Sequence, residues 1–206
     1  MTEEYQFTKD WFNWAPEVWT QLIPMLPEGE TYGAADRGVR AFLEIGSFEG
    51  RSAVWIAENM MQKGDTLTCI DTWEGGEEHG EENMQTVFDW FQANMRLLQS
   101  KKACSLSVRR GESVTELAAC IVGEESYDFI YIDGSHIAKD VLTDACMAWP
   151  LLKPKGLMVF DDYLWTPNAR DILHRPKLAI DAFVNIFAEE VEVVHVGYQL
   201  VIRKRG

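Results

Sequence analysis

Two spacings of apolar residues alternate along the chain from residue 40 onward. Short apolar runs, which predict buried strands, lie at 41–45, 67–70, 103–108, 127–132 and 157–160. Apolar residues recurring every three or four positions, which predict helices, occur near 51–61, 84–98, 113–121, 137–149 and 177–188. Strands at 191–196 and 198–203 predict a terminal hairpin around Gly197. This alternation predicts an α/β fold whose parallel sheet is covered by helices on both faces.

The first 38 residues follow a different pattern. Six aromatic residues fall between Tyr5 and Trp19, and Pro24, Pro27 and Gly29 then interrupt the chain. We expect a short amphipathic helical arm over residues 1–38, followed by a main domain over residues 39–206. The aromatic residues leave three interpretations of the arm open: a cap on the core, a lid over a substrate, or a contact within a homodimer.

Charge and composition narrow the class of protein. The 206 residues include 33 acidic and 19 basic ones, giving a net charge of −14. This excess of acid argues against a nucleic-acid or anionic membrane surface, which requires clustered Lys and Arg. We expect neither a secretion signal nor a membrane span, because no basic start precedes an apolar core and no apolar run reaches eighteen residues. Four cysteines without a Cys-x-x-Cys pair favour reduced thiols in a cytoplasmic protein.

Most of the predicted parallel strands end in a glycine or an aspartate. Gly46 follows the first strand, Asp71 ends the second, Asp133 follows the fourth, and the pair Asp161–Asp162 follows the fifth. Ligands of such sheets bind beyond the carboxyl ends of the strands. Carboxylates gathered there would repel one another unless a cation or a hydroxyl-rich ligand joined them. The sequence therefore predicts a binding site at this edge of the sheet.

The loop between the first strand and the first helix, residues 44–52, indicates what the site binds. Gly46 permits a sharp turn, and the helix that follows offers free backbone N–H groups to a charged ligand. Phe48 and Arg51 stand where a dinucleotide fingerprint would have its second and third glycines, which disfavours a nicotinamide enzyme. Asp71, 25 residues after Gly46, suits the paired hydroxyls of a ribose. A nucleoside without a pyrophosphate fits this combination, and S-adenosyl-L-methionine matches it.

Four motifs in order resemble those of class I S-adenosylmethionine-dependent methyltransferases. They are residues 42–52, 70–73, 131–136 with Ile-Asp-Gly-Ser-His, and 152–163 with a final Asp-Asp-Tyr. The closest resemblance is to small-molecule O-methyltransferases and extends over about residues 40–204. One departure is Lys155-Gly156, where the family often has two glycines. The resemblance implies a Rossmann-like, doubly wound sheet of seven strands whose last strand is antiparallel.

The resemblance also implies a cofactor site. The residues expected around the methionine end are Glu44, Gly46, Ser47, Gly50 and Ser52. The residues expected around the adenosine are Asp71 at the ribose, Thr72 and Trp73 beside it, and Glu112 and Ser113 at the adenine edge, with Asp133 as a further cofactor contact. Two roles stay open for Trp73: stacking on the adenine, or packing against the edge of the sheet.

A second group of implied residues would carry the chemistry. Asp133, Asp161 and Asp162 stand where metal-dependent relatives hold a divalent cation, and hard carboxylates suit Mg, Ca or Mn. Asp162 replaces the usual Asn, and the alternative is that these residues cap helices or contact the cofactor without a metal. His136 stands where those relatives have a lysine proposed as base, so His136 and Asp133 are the candidate catalytic residues. The alternative for His136 is that it caps the next helix or contacts the cofactor.

We therefore expect methyl transfer to a small-molecule acceptor, favouring a hydroxyl oxygen and leaving metal assistance open. Two other functions stay open. The first is an iron(II) oxygenase, as in hydroxylase-like relatives, although the two-His, one-carboxylate pattern is poorly matched. The second is a cofactor-binding protein that has lost catalysis and acts through its arm. The sequence does not identify the acceptor.

Overall fold

The computed structural model describes residues 4–29, 38–76, 79–80, 82–102, 104–166 and 171–206. Within them, seven strands form one sheet: β1 Ala41–Ile45, β2 Thr66–Asp71, β3 Ser105–Arg110, β4 Tyr127–Ile132, β5 Leu152–Phe160, β6 Val191–Val196 and β7 Leu200–Lys204. The helices are α1 Ala15–Leu22, α2 Arg51–Asn59, α3 Met84–Lys101, α4 Ser113–Val122, α5 Ala138–Ala148 and α6 Pro176–Ile186. Residues 1–3 and 30–37 of the predicted arm, and Ala103 of the predicted third strand, lie outside the described residues.

The strand order is β3-β2-β1-β4-β5-β7-β6. Strands β1 to β5 are parallel to one another, whereas β7 is antiparallel to both β5 and β6. The predicted seven-stranded sheet with an antiparallel last strand is confirmed. The chain runs outward from β1 to β3 and then returns to β4 beside β1. This reversal opens a crevice at the carboxyl ends of β1 and β4, where ligands of doubly wound sheets bind.

Alternate residues of the central strands face two separate cores. Phe42 of β1 and Phe129 of β4 pack with α1, α2 and α3, whereas Leu43 and Ile130 pack with α4, α5 and α6. This alternation follows from the two-residue repeat of a strand. Because both faces are covered, the open edge at the carboxyl ends of the strands remains for a ligand.

Two strands differ from their predicted bounds. β3 begins and ends two residues later than predicted, because it lies at the sheet edge, where pairing with β2 rather than burial determines its ends. β5 begins at Leu152 instead of residue 157, and its register against β4 shifts between Tyr127 and Phe129. The first half of β5 contains the polar segment around Lys155, whose φ is +65°. An apolar run therefore does not mark it as a strand.

The arm packs on the main domain along its described length. α1 buries Ala15, Trp19 and Leu22, which share one helical face. Upstream of α1, the Gln6 amide N–H donates to Asn94 of α3 at 2.9 Å, and Asn94 donates back to the Gln6 carbonyl at 2.8 Å. These contacts make the arm part of the α2–α3 layer.

Two smaller observations bear on the sequence predictions. Cys69 and Cys120 are buried free thiols as expected, but Cys146 is exposed. None of the described helices combines the length and the hydropathy that crossing a membrane requires.

Candidate active site

One cavity of about 840 Å³ lies over the carboxyl ends of the central strands. Two sets of residues line it. The strand-end set comprises residues that follow consecutive parallel strands: Gly46, Ser47, Ser52, Asp71, Thr72, Glu112, Ser113, Asp133, His136, Asp161 and Asp162. The aromatic set brings rings from separate parts of the chain: Trp11, Trp14, Phe48, His79, Trp165 and Tyr198.

Gly46, immediately after β1, packs against the backbone of Asp133 and Gly134, immediately after β4. Its φ is +85°, and a Cβ atom on it would lie 2.1 Å from the carbonyl oxygen of Asp133. Its N–H donates to the carbonyl of Ile70 at 2.8 Å, while the N–H of Asp133 donates to the carbonyl of Ile45 at 2.8 Å. These bonds fix three strand ends against one another. Only a glycine fits this position without displacing the backbone.

Asp71 lines the cavity and also organises the loop after β1. Its carboxylate accepts N–H bonds from Ser47 at 2.8 Å, Phe48 at 2.9 Å and Trp73 at 2.7 Å. Gly46 and Asp71, which the sequence analysis assigned to the turn after the first strand and to the ribose, therefore lie side by side. A carboxylate has about four acceptor positions, so Asp71 keeps the capacity to accept from a ribose hydroxyl.

Three residues predicted around the cofactor do not line the cavity: Glu44, Gly50 and Trp73. Trp73 is 1% exposed, and its indole N–H donates to the carbonyl of Phe48 at 2.8 Å. Its ring packs against Phe88 and Phe91 with centroids 4.7 and 4.6 Å away. Of the two roles left open for Trp73, the structure therefore shows packing. Neither face of its ring is free to stack on an adenine. Gly50 lies against Phe91 of α3.

Glu44 lies beneath the floor of the cavity and is fully buried. Burial raises its pKa to about 7, although hydrogen bonds from Ser47, Ser52 and Cys69 act in the opposite direction. The Ser47 hydroxyl donates to its Oε2 atom at 2.5 Å. Among the described residues, its Oε1 atom has no hydrogen-bond partner. An ammonium group above Ser47 would find a buried acid able to compensate its charge.

The adenine end of the predicted site contains an acid that the sequence did not single out. Ser113, the first residue of α4, contributes a hydrogen bond to Asp144 of α5, and both line the cavity. Burial raises the pKa of Asp144 to about 6, despite this bond. Glu112, immediately before α4, lines the same wall. The helical pattern placed Asp144 on α5 without indicating that it faces a cavity.

Carboxyl groups and a tyrosine gather where β4 and β5 end. The Tyr131 hydroxyl lies 2.9 Å from Asp133 and also hydrogen bonds to Asp161. Burial, followed by repulsion from Asp161 and Asp162, raises the pKa of Asp133 well above its usual value. Burial and repulsion from Asp162 raise the pKa of Asp161 to about 6. One phenolic proton cannot serve two carboxylates, so the cluster favours retaining a proton or gaining a cation.

His136 faces the cavity from the segment between β4 and α5. Its Nε2 atom lies 2.6 Å from an Asp162 oxygen. Its ring stacks on Trp165 with centroids 4.1 Å apart and planes inclined by 18°. Asp162, whose φ is +54°, also hydrogen bonds to Tyr198, and burial together with this bond raises the pKa of Tyr198. The His136 ring is therefore held in position by both an acid and an aromatic face.

Five of the six rings of the aromatic set contact another ring of the set, and Trp165 stacks on His136 instead. Trp14 meets Tyr198 edge-on at 5.1 Å, and Trp11 lies 5.1 Å from Phe48. His79 stacks on Phe48 at 5.2 Å. The sequence indicated that the arm's aromatic residues were candidates for a lid. It had no signal for Trp165 or Tyr198, because these residues reach the cavity only through the tertiary fold.

The candidate metal ligands lie together, but they do not form a ready-made metal site. Across the described ranges, no group of three or more His, Cys, Asp or Glu residues is arranged to hold a metal ion. In this structure Asp133 and Asp161 face Tyr131, and Asp162 faces His136.

A family model described as "Methyltransferase domain" matches residues 43–163, more than half of the chain. The chain belongs to this methyltransferase family. The match runs from β1 to the residue after the Asp161–Asp162 pair, so it spans the whole strand-end set. The methyltransferase class predicted from the sequence is thereby confirmed.

Solved structures share the methyltransferase fold. A protein from Corynebacterium glutamicum is 22% identical, with a TM-score of 0.60, over 92% of this chain and 82% of its own. The Bacillus cereus O-methyltransferase, solved with S-adenosylhomocysteine (SAH), is 18% identical, with a TM-score of 0.60, over 97% and 93%. MycE methyltransferase from the mycinamycin biosynthetic pathway, solved with Mg and SAH, is 14% identical, with a TM-score of 0.58, over 92% and 48%. At these identities the similarity establishes the fold. No curated protein matches the chain.

Proposed function

We propose that this methyltransferase transfers the methyl group of S-adenosylmethionine to a hydroxyl oxygen of a small molecule. The observation that carries the proposal is the meeting in one cavity of Gly46, Asp71 and Ser113 with the His136–Asp162 pair. Two structures of the same fold support it, since the Bacillus cereus O-methyltransferase was solved with SAH and MycE with SAH and Mg.

The strand-end set fits such a cofactor. S-adenosylmethionine supplies an electrophilic methyl group on a positively charged sulfur. Asp71 is placed to accept from ribose hydroxyls, and Ser113 and Asp144 present polar groups to the adenine side. The buried Glu44, which accepts a hydrogen bond from Ser47 at 2.5 Å, would compensate the positive charge of the cofactor's ammonium group.

His136 would take the proton from the acceptor hydroxyl. Asp162 holds the imidazole at 2.6 Å, and Trp165 fixes the plane of the ring. General-base help of this kind contributes about 10²–10⁴-fold in rate. The aromatic set would exclude water and hold the acceptor oxygen in line with the methyl group, which accounts for most of what methyl transfer requires from a protein.

We propose further that a divalent cation binds beside Asp133, Asp161 and Asp162. The donor set fits, because carboxylates are hard ligands and the raised pKa values of Asp133 and Asp161 indicate acids that a positive charge would stabilise. Binding would require these side chains to turn from their present partners. The cation would lower the pKa of the acceptor hydroxyl.

Calorimetric titration with SAH tests the first proposal. Wild type is expected to bind, and Asp71→Asn to bind at least tenfold more weakly, about 1.4 kcal/mol. Asp89→Asn, at an exposed position on α3, is the control and should bind as wild type does. Absence of wild-type binding would overturn the proposal. Binding without methyl transfer to any hydroxylated compound would favour the catalytically inactive alternative.

Titration with Mn²⁺ tests the metal proposal. Asp161→Asn should weaken Mn²⁺ binding, whereas Asp171→Asn, outside the cavity, should not. If the wild-type protein binds no Mn²⁺ in the presence of SAH, the proposed cation site does not exist.

A further inference from the structure

A buried glutamate in the loop after β1 is bonded to the arm. The two oxygens of the Glu49 carboxylate accept from Thr8, one from its backbone N–H and the other from its hydroxyl, each at 2.7 Å. Glu49 is 2% exposed, and it lies at the wall of the cavity. Hydrogen bonds to a charged acceptor are stronger than those between neutral groups. The Thr8–Glu49 junction therefore fixes the arm to this loop at one defined point.

Neighbouring contacts hold the same junction. The side-chain amide of Asn94 donates both to the carbonyl of Gln6 at 2.8 Å and to the carbonyl of Glu49 at 2.9 Å. One buried amide of α3 thus bonds to the arm and to the loop at once. Arg51 also lies 3.2 Å from Asp10, but this pair is more exposed to solvent and contributes little. Glu49 and Asn94 are therefore the groups that join the arm to the loop.

The loop that Glu49 belongs to is the one assigned to the cofactor. Glu49 directly follows Ser47 and Phe48, whose backbone N–H groups donate to Asp71. Gly50, with a φ of +81°, follows it and leads into α2. The arm is thus bonded to the same short loop that contacts the proposed ribose-binding carboxylate, and a movement of Glu49 reaches that loop through the main chain.

The arm carries two rings into the cavity shortly after the junction. Trp11 and Trp14 follow Thr8 by three and six residues, and they are 46% and 39% exposed. Trp11 packs on Phe48 of the loop after β1, and Trp14 packs on Tyr198 at the other side of the cavity. Large aromatic surfaces left exposed beside a cavity indicate that a ligand covers them. The junction therefore determines where these two rings stand above the cavity.

We infer that Glu49 is a positioning residue, which fastens the arm over the bound cofactor so that release of the spent cofactor requires the Thr8–Glu49 junction to open. This inference rests on the proposed function, because the loop after β1 is assigned to the cofactor there. It adds a step that controls how long the cofactor stays bound. The coupling acts in both directions, because a ligand held under the arm also keeps the junction closed.

Two small substitutions weaken the junction. Thr8→Val, at a position exposed to solvent, keeps the shape of the side chain and loses the hydroxyl bond. Glu49→Gln keeps the length of the side chain and loses its charge. Thr20→Val is the matched control for the first, because the Thr20 hydroxyl donates within α1 to the carbonyl of Pro16 at 2.7 Å. Glu17→Gln, at an exposed position of α1, is the control for the second.

The first measurement is the dissociation rate of radiolabelled SAH, chased with an excess of unlabelled SAH. Both test variants should release SAH about tenfold faster than wild type, which corresponds to the loss of one hydrogen bond to a charged group. Both controls should stay within about twofold of wild type. Unchanged dissociation rates in Thr8→Val and Glu49→Gln, with SAH still bound, would overturn the inference and leave the proposed function intact.

Hydrogen exchange at the Thr8 amide, followed by NMR, gives a second readout that requires no catalysis. In wild type this amide should exchange about tenfold more slowly with SAH bound than without it. The difference should disappear in Glu49→Gln and persist in Glu17→Gln. A junction that served only the stability of the fold would exchange at one rate with and without SAH, and that result would overturn the inference.

Two further outcomes are also decisive. If wild type binds no SAH, the proposed function fails, and the exchange rate of the Thr8 amide in wild type and in Glu49→Gln alone decides whether Glu49 fastens the arm. If Glu49→Gln does not fold, Thr8→Val decides through its SAH dissociation rate and through amide exchange at position 8.

Discussion

The strand-end set and the aromatic set line the same cavity but are held in place by different kinds of contact. Main-chain hydrogen bonds between neighbouring strands fix the first, as between Gly46 and Ile70. Ring contacts between separate segments hold much of the second, as between Trp14 and Tyr198. A backbone-built surface suits a ligand that never varies, whereas a surface of side chains can change without disturbing the sheet. The comparison predicts that substitutions in the two sets will have separable effects.

The largest effect is expected from Gly46→Ala, which disturbs the backbone of the strand-end set. The new Cβ would lie 2.1 Å from the Asp133 carbonyl oxygen, at a φ of +85°. Left-handed strain and overpacking together should lower the free energy of unfolding by roughly 3–5 kcal/mol. Gly80→Ala is the control, since Gly80 also has a positive φ and has nothing within 4 Å of its Cβ position. Denaturant unfolding of both variants measures the difference, and equal losses would contradict the steric argument.

His136→Ala should separate chemistry from cofactor binding. Loss of the proposed base should lower kcat by about 10²–10³-fold. SAH affinity should stay at the wild-type value, because His136 contacts Asp162 and Trp165 instead of the strand-end loop. His174→Ala is the control, because His174 pairs with Asp171 outside the cavity. A wild-type rate in His136→Ala would remove the residue from the mechanism.

Glu44→Gln tests whether the buried carboxyl group of Glu44 affects stability through its ionisation. A folded pKa of about 7, against 4.5 ordinarily, means that the folded protein holds a proton that the unfolded chain releases. Glu44 therefore contributes up to about 3 kcal/mol to the free energy of unfolding. This contribution is fully present below pH 4.5 and is lost as the pH rises through 7. Asp133, Asp144 and Asp161 shift in the same direction, so the difference between wild type and Glu44→Gln isolates the contribution of Glu44.

The same variant has a second readout. SAH affinity in wild type should rise as pH increases through 7, because the deprotonated carboxylate attracts the ammonium group of the ligand. In Glu44→Gln this rise should be absent. Calorimetry between pH 6 and 8 makes the comparison, and parallel curves for the two proteins would argue against a charge effect of Glu44 on the cofactor.

The smallest effect is expected from Trp14→Ala, in the aromatic set. Loss of an edge-on ring contact costs about 0.5–1.5 kcal/mol beyond buried area. We therefore expect the acceptor KM to rise by roughly threefold to tenfold, with SAH affinity unchanged. Trp90→Ala, on the outer face of α3 and away from the cavity, is the control. A loss of SAH affinity in Trp14→Ala would show that the two sets are not separable.

Periodicity predicted the α/β fold, and the strand ends indicated Gly46, Asp71, Asp133 and the Asp161–Asp162 pair, because both signals depend on residues close together in sequence. The seven-stranded topology and the other members of the strand-end set came from the family resemblance. The direction of the Trp73 ring could not be predicted from neighbouring residues. Trp73 follows Asp71 by two positions, yet a φ of +49° turns its ring inward onto Phe88 and Phe91. Tyr198 and Trp165 could not be predicted, since the turn between β6 and β7 and the segment after β5 approach His136 and Asp162 only once the sheet has formed.

The paired hydrogen bonds between Gln6 and Asn94 join the arm to α3 across 88 positions of sequence. Contacts between such distant segments form only after the intervening chain has come together, and they slow folding. We therefore expect the arm to dock late in folding, after α2 and α3 have packed on the sheet.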